Sequence, residues 1–298
     1  MRKPLFLFAA LWAVSVCAED TRRWAVDADT GAVTMWALGT NVWTYVPQSK
    51  EGKPYFHPLT VPGTGEALTA FRPADHAWHL GLWFSWKLIN TCNFWEPNSN
   101  AVTKIVSQKV TPGTDWVLTI EAVLSYEGNG QELVRENRTV RVTTAEDGAY
   151  AIAWESVFTA GAAEAVIDCT PAKRGPNGDW ASGGYAGLMW RFPDTPAFAY
   201  QFVNAEGKEN VKACGEKSER VEITATSKRS GAQAKIVFSD QAGNPRHPTP
   251  WFVRYDLNSL KGRGYYLVGP ATIFHEPLKL APGETARFRY AVSVERAK

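Results

Sequence analysis

Residues 116–143 read WVLTIEAVLSYEGNGQELVRENRTVRVT. Trp116 to Tyr126 and Leu133 to Thr143 alternate apolar and polar side chains, the period of a strand with one face buried. Between them stands Gly128-Asn129-Gly130, and Asn-Gly beside alternating runs is the strongest local signal for a β-hairpin. The pattern recurs outward in both directions. Ala32 to Leu38, Tyr150 to Phe158, Val221 to Thr226, Lys235 to Phe238, Tyr265 to Val268 and Thr285 to Val294 are further alternating or β-branched stretches. Turn residues punctuate them at Asp29-Thr30-Gly31, Pro112-Gly113, Glu146-Asp147-Gly148 and Pro282-Gly283. No long amphipathic helix is visible; Ala160 to Val166 offers one Gly-interrupted helical turn at most. The expectation is an all-β protein, a large antiparallel β-sandwich of roughly 16 to 20 strands. Such sandwiches often present one concave sheet as a binding groove.

The chain has 298 residues and a formal charge of +2. Its first 18 residues carry Arg2 and Lys3 and no acid, so the excess lies there and leaves 30 cationic against 30 acidic residues beyond it. A balanced charge argues against a protein that holds nucleic acid or anionic membrane by bulk electrostatics. Met1-Arg2-Lys3, the apolar run Pro4 to Val16, and Val16-Cys17-Ala18 before Glu19 have the layout of a secretory signal peptide. The expectation is therefore export, to the periplasm or outside the cell, with residues 19–298 forming a single all-β domain. No other apolar stretch approaches membrane length. Cys92, Cys169 and Cys214 remain after the signal, which permits one disulfide and a free thiol but no disulfide framework. Twelve of the 13 tryptophans also remain, and flat aromatic faces beside polar groups suit carbohydrate sites. There is no phosphate loop, dinucleotide fingerprint or nucleophile elbow, so nucleotide cofactors and serine-hydrolase chemistry have no sequence support.

Three of the five histidines, His57, His76 and His79, fall within 23 residues. Imidazole moves protons near neutral pH and also ligates metals. On a strand after His79, Leu80, Leu82, Phe84 and Trp86 share one face and read as core. His79, Gly81, Trp83 and Ser85 share the other and read as a sugar-facing surface, against the plainer reading of a fully buried strand. His76 and His79 would bind a metal only from a loop, with a third ligand such as His57, Glu96 or His247. The second constellation is Asn244-Pro-Arg246-His247-Pro-Thr-Pro-Trp251, where prolines stiffen a path for polar side chains that either bind substrate or tie the loop down. Glu136 and Arg138 share a face with Val134, Val140 and Val142 and are read as an internal ion pair. Asn137-Arg138-Thr139 matches a glycosylation acceptor but sits inside a strand pattern. The polar zone Pro171 to Gly184 reads as a site wall or surface excursion.

Lys53-Pro-Tyr-Phe-His57-Pro-Leu59, Asp75-His76-x-x-His79-x-Gly81-Leu-Trp83-Phe84, Gly183-Gly-Tyr185-x-Gly187-Leu188 and Asn244-Pro-Arg-His-Pro-Thr-Pro-Trp251 resemble the bacterial PmoA-like family of unknown function. The resemblance covers nearly all of the chain beyond the signal. It implies a secreted β-sandwich of polysaccharide-degrading bacteria, similar in style to the β-supersandwich of aldose mutarotases and some polysaccharide lyases. The methane monooxygenase evoked by the label is membrane-embedded, which this sequence contradicts. Family members commonly read His-His-Arg-Gly where this chain has Trp78-His79-Leu80-Gly81. If those positions belong to the family's chemistry, substrate choice or activity is altered here.

Together these readings predict a carbohydrate-active enzyme, a hydrolase, lyase or epimerase, acting on a glycosidic bond or sugar ring carbon by histidine acid/base chemistry. Its catalytic candidates are His76, His79, His247 and Glu96. His57, Arg72, Asp75, Trp83, Tyr185, Asn244, Arg246 and Trp251 are the substrate-binding candidates, with Trp83 and Trp251 stacking on sugar rings. Its partner is an oligosaccharide or polysaccharide, with no nucleic acid, and no cofactor is required. A non-catalytic carbohydrate-binding protein and a metal-dependent glycan-processing enzyme are the alternatives. Hydrolysis with retention requires two carboxylates about 5 Å apart, and no such pair is obvious. The oligomeric state is not legible.

Overall fold

A computed structural model describes residues 20–97 and 100–297; the signal-peptide reading of residues 1–18 lies outside them. Two eight-stranded sheets dominate, every neighbouring pair antiparallel. The first runs, in spatial order, Arg23–Val26, Val33–Ala37, Thr40–Val46, Tyr55–Leu59, Leu82–Ser85, Gly187–Arg191, Tyr265–Pro270 and Trp251–Asp256. The second runs Phe198–Asn204, Arg220–Ser227, Gln233–Asp240, Thr285–Arg296, Tyr150–Ala160, Gln131–Thr144, Val117–Gly128 and Ala101–Pro112. The Gly128-Asn129-Gly130 hairpin forms as read, with Gln131 paired to Gly128 and Val140 to Ile120. Twenty-two strands are described, more than expected, because five have only two or three residues. Helix among the described residues is limited to the turns Asn210–Ala213 and Ser259–Gly262.

The sheets face each other across an aromatic core. Phe84 of the first sheet lies 5.2 Å from Phe158 of the second, and Trp251 lies 5.3 Å from Phe238. Leu82, Trp190, Val268 and Val253 stand opposite one another across four adjacent strands and are all buried. The alternate row, Tyr55, Trp83 and Met189, with Arg191, Leu267 and Arg254 beyond it, points to the other face of that sheet. The Leu82–Ser85 strand is buried on both faces, because loops cover the side away from the second sheet. Covered faces of this kind suit near-continuous apolar runs.

Glu136 and Arg138 form an internal ion pair, as the sequence suggested. Both carboxylate oxygens accept from the guanidinium, at 2.7 and 2.9 Å, and also from the hydroxyls of Tyr126 and Ser156. Arg138 also packs 4.7 Å over the Trp154 ring. Cys92, Cys169 and Cys214 are all buried and free, so no disulfide forms among the described residues.

Candidate functional site

Two tandem turns build the site. The His76 amide donates to the Pro73 carbonyl and the His79 amide to the His76 carbonyl, both at 3.0 Å, and the Arg72 amide closes the loop on the His79 carbonyl at 2.8 Å. This is a loop rather than the start of a strand, so the two imidazoles point the same way. Their rings stack with centroids 4.7 Å apart and planes at 21°. Gly81 then lets the chain re-enter the sheet. Its φ is +83°, and an added Cβ would lie 2.4 Å from the Phe56 carbonyl oxygen, a position that glycine alone fills without strain.

His76 Nδ1 lies 2.6 Å from Asp75 Oδ2, and the same oxygen accepts from Arg191 Nη2 at 2.9 Å. Burial alone would raise the Asp75 carboxyl, but the His76 and Arg191 bonds overrule it and hold it below the usual range. An ionised carboxylate only accepts, so Nδ1 of His76 carries the proton and Nε2 is left for a bound molecule. His76 keeps 34 % side-chain exposure. Beneath it His79 is 1 % exposed, and burial, reinforced by Arg191, His76 and Lys53, drives its pKa well below the ordinary histidine value. His79 is therefore neutral, which corrects its assignment as a titrating acid/base: a desolvated imidazole among cations cannot take up a proton near pH 7.

These histidines open into a cavity of about 280 Å³ walled by Tyr185, Phe252, Tyr265 and Leu267. Ala181, Ser182 and Gly183, the end of the polar loop, form another side. Tyr265 lies 5.1 Å from the His76 ring and 3.8 Å from the Arg191 guanidinium. Burial pushes its phenol up to about 12, so its proton stays on at neutral pH. Trp83 Nε1 and His79 Nδ1 are buried with no hydrogen-bond partner among the described residues.

Several sequence candidates lie elsewhere. Trp83 does point to the site's face but is fully buried under His79 and Trp95, at 4.9 and 5.2 Å, so it backs the histidine and offers no open sugar platform. Trp251 points into the inter-sheet core, its Nε1 donating to the Ser218 carbonyl. Alternation along that strand puts Phe252 at the cavity instead. Arg72 grips Glu51 with both terminal nitrogens at 2.7 Å, and Arg246 donates to the Thr272, Glu276 and Pro277 carbonyls. Both tie down loops instead of facing substrate. Asn244 bonds Asp240 and Arg289, and His247 bonds buried Asp240 at 2.8 Å, away from the His76 cavity. His57 bonds Thr69 and stacks on Phe71, and burial lowers its pKa to about 4. Glu96 is held by Lys87 and Asn93 and lines a different depression with Lys53. The four histidines and Glu96 thus do not form one catalytic cluster; His76, His79, Asp75 and Tyr185 do come together.

Sequence reading missed Arg191, Tyr265, Arg254 and Phe252. The available signal was the charge ending the apolar run Gly187-Leu-Met-Trp-Arg191, since a cation in a covered strand needs a purpose. The donor set does not fit a metal. Among the described residues no three His, Cys, Asp or Glu side chains converge, and His76 and His79 present ring faces to each other.

Comparison with known proteins adds the following. A family model described as a family of unknown function (DUF6807) matches residues 32–298; the PmoA-like label forms no part of that description. No curated protein matches. An alpha-galactosidase from Lactobacillus brevis is similar at 10 % identity and a TM-score of 0.49, over 92 % of this chain and 40 % of its own. A second alpha-galactosidase, from Geobacillus stearothermophilus in complex with stachyose, is similar at 12 % identity and a TM-score of 0.42, over 86 % of this chain and 39 % of its own. The chain thus spans about 40 % of the length of either neighbour.

Proposed function

The chain belongs to the family of unknown function DUF6807, and from that premise we propose that it is a carbohydrate-active enzyme that moves a proton at a sugar ring carbon. The Asp75–His76 contact of 2.6 Å at the mouth of an aromatic cavity carries the reading. Asp75 fixes the tautomer and orientation of His76, and Nε2 acts as the general base. Tyr265, with its proton retained, supplies the acid on the same cavity wall. Neutral His79 backs His76 without competing for the proton, and Tyr185 and Phe252 offer apolar surface to a sugar ring.

A base and a phenolic acid suit elimination or epimerisation. In elimination, His76 takes the carbon-bound proton, a ring carbon–carbon double bond forms, and the departing oxygen takes the Tyr265 proton. In epimerisation, one group removes the proton and the other returns it to the opposite face. Hydrolysis through two carboxylates is less well supported, because no Asp or Glu lines this cavity among the described residues. Export by residues 1–18 and action of residues 19–298 as one unit on an oligosaccharide outside the cytoplasm belong to the same proposal, as does the PmoA-like resemblance.

The test is a panel of oligosaccharides incubated with purified protein. Unsaturated products, reducing ends and deuterium uptake at ring carbons are all read. The expected result is one of these products, lost in His76→Ala and in Tyr265→Phe. Saccharide binding without any product would make the protein a carbohydrate-binding module instead, and activity that survives His76→Ala would remove the proposed base.

A further inference from the structure

Beside the His76 cavity lies a second one, of about 580 Å³, and Leu260 lines both. The cations at its wall are Arg191, Lys261 and Arg263, and the carboxylates are Asp75 and Asp194. Each carboxylate is already engaged: Asp75 by His76 and Arg191, and Asp194 by Arg263 at 2.5 Å. Lys261 is exposed and forms no ion pair among the described residues. Arg191 is 2 % exposed: its Nη2 is bonded to Asp75 and its face packs on Tyr265, while Nε and Nη1 are buried with no hydrogen-bond partner among the described residues. Unbonded donors on a buried guanidinium are costly to leave that way, and a charged N–H donor of this kind suits a planar or tetrahedral oxyanion.

The backbone holds Lys261 there under strain. Leu260 and Lys261 are consecutive left-handed residues, with φ of 57° and 60°, and neither is glycine. Such conformations persist only where the surroundings enforce them, and they concentrate at ligand sites. Bonds at both ends provide that enforcement. Asp256 accepts from the Asn258 and Ser259 amides, both at 3.1 Å, and the Thr195 amide donates to the Arg263 carbonyl at 2.5 Å.

We propose that this cavity is a subsite for an anionic group of the saccharide, a carboxylate or a sulfate ester, bound between Arg191 and Lys261. The inference rests on the saccharide reading of the His76 cavity and narrows its substrate class to acidic glycans. It also gives Arg191 two tasks: Nη2 holds Asp75 for His76, and a remaining N–H receives the substrate's anion.

The test uses uronate-containing oligosaccharides matched with their methyl esters, and sulfated oligosaccharides matched with their desulfated forms. Calorimetry and turnover are measured on the full protein at two salt concentrations. At least one acidic member is expected to bind about tenfold or more tightly than its neutral match, with the preference shrinking as salt rises. The arm in which this occurs identifies carboxylate or sulfate. Lys261→Gln should cut that preference about threefold to tenfold, and Lys261→Arg should restore it. Arg191→Gln should abolish it in protein whose circular dichroism matches wild type. No acidic preference in any pair, or a preference untouched by Lys261→Gln, overturns the subsite. Neutral sugars turned over through His76 without such a preference sink the subsite alone. Acid-selective binding that needs Lys261 but yields no product sinks the proton-transfer reading alone.

Discussion

His76 and His79 stack with ring centroids 4.7 Å apart and live in opposite environments: His76 meets the cavity with a third of its side chain exposed, while His79 is sealed beneath it. Two imidazoles that close would repel each other if both were charged. Burial and the nearby Arg191 settle the matter by keeping His79 neutral. The pair therefore separates into one histidine open to a ligand and one sealed beneath it.

Asp75→Asn tests this division of labour. The amide cannot act as the same acceptor for both His76 Nδ1 and Arg191 without losing charge, so the tautomer of His76 is no longer fixed. Turnover should fall by about 10²–10⁴-fold, the range seen when a base loses its orienting carboxylate. Arg191 is left as a buried cation without its counter-charge, and stability should drop by about 2–4 kcal/mol. Steady-state kinetics and guanidinium unfolding read the two effects separately. An Asp75→Asn protein of undiminished turnover would refute the dyad.

Acid should weaken the fold in a defined window. His57 has a pKa near 4 in the folded protein because burial disfavours its charge, against about 6.5 when unfolded. Above about pH 6.5 both states are neutral and the full stability is present. As pH falls from there towards 4 the unfolded chain takes up the proton first and stability is lost, at up to about 1.4 kcal/mol per pH unit for each such group. His79, whose folded pKa is also depressed, adds a loss with the same sign. Urea midpoints between pH 8 and 4 should be flat and then decline, and His57→Gln should flatten part of the slope. An unchanged slope in that variant would assign the loss to other groups.

The thiols should be silent until the chain unfolds. Burial pushes Cys169 and Cys214 up to about 11 and keeps reagents away, so little thiolate exists at neutral pH. Iodoacetamide with peptide mapping should label neither in native protein at pH 7.5, and both in denaturant without prior reduction. Labelling of either in the native state would place it nearer the surface.

How far the sequence revealed this molecule differs between scaffold and site. The period-two runs at 117–128 and 131–144 and the Asn-Gly turn identify a hairpin because both signals are local. The outward face of Trp83 followed from the same periodicity, but its burial did not, since that depends on Trp95 and the loops folding over it. Trp251 and Arg246 misled for a related reason: a stiff proline-rich segment looks the same in sequence whether it presents polar groups to a ligand or uses them to bond its own carbonyls. Asp75 stands next to His76 in the chain, yet the catalytic carboxylate expected from the sequence was Glu96, which Lys87 and Asn93 hold elsewhere. Arg191 and Tyr265 reach the Asp75–His76 pair from strands more than a hundred residues away in the chain, and no local pattern announces that meeting.

The Glu136–Arg138 pair offers the cleanest separation of electrostatics from packing. Its members are two residues apart on one strand, point into the core and are 0 % and 3 % exposed. Removing both ions from water is costly, and the fork, the Tyr126 and Ser156 hydroxyls and the Trp154 face offset that cost. Losing one partner should therefore hurt far more than losing both. Glu136→Gln strands a buried guanidinium and should destabilise by about 3–5 kcal/mol. Glu136→Leu combined with Arg138→Met removes both ions but leaves the Tyr126 and Ser156 hydroxyls without their acceptor, and should recover part of that loss, coming within about 1–3 kcal/mol of wild type. A thermodynamic cycle from urea unfolding of the single and double variants measures the coupling directly. A double-variant loss equal to the sum of the Glu136→Leu and Arg138→Met losses would mean that the charges act independently, and that packing around Trp154 and Phe84 carries the effect.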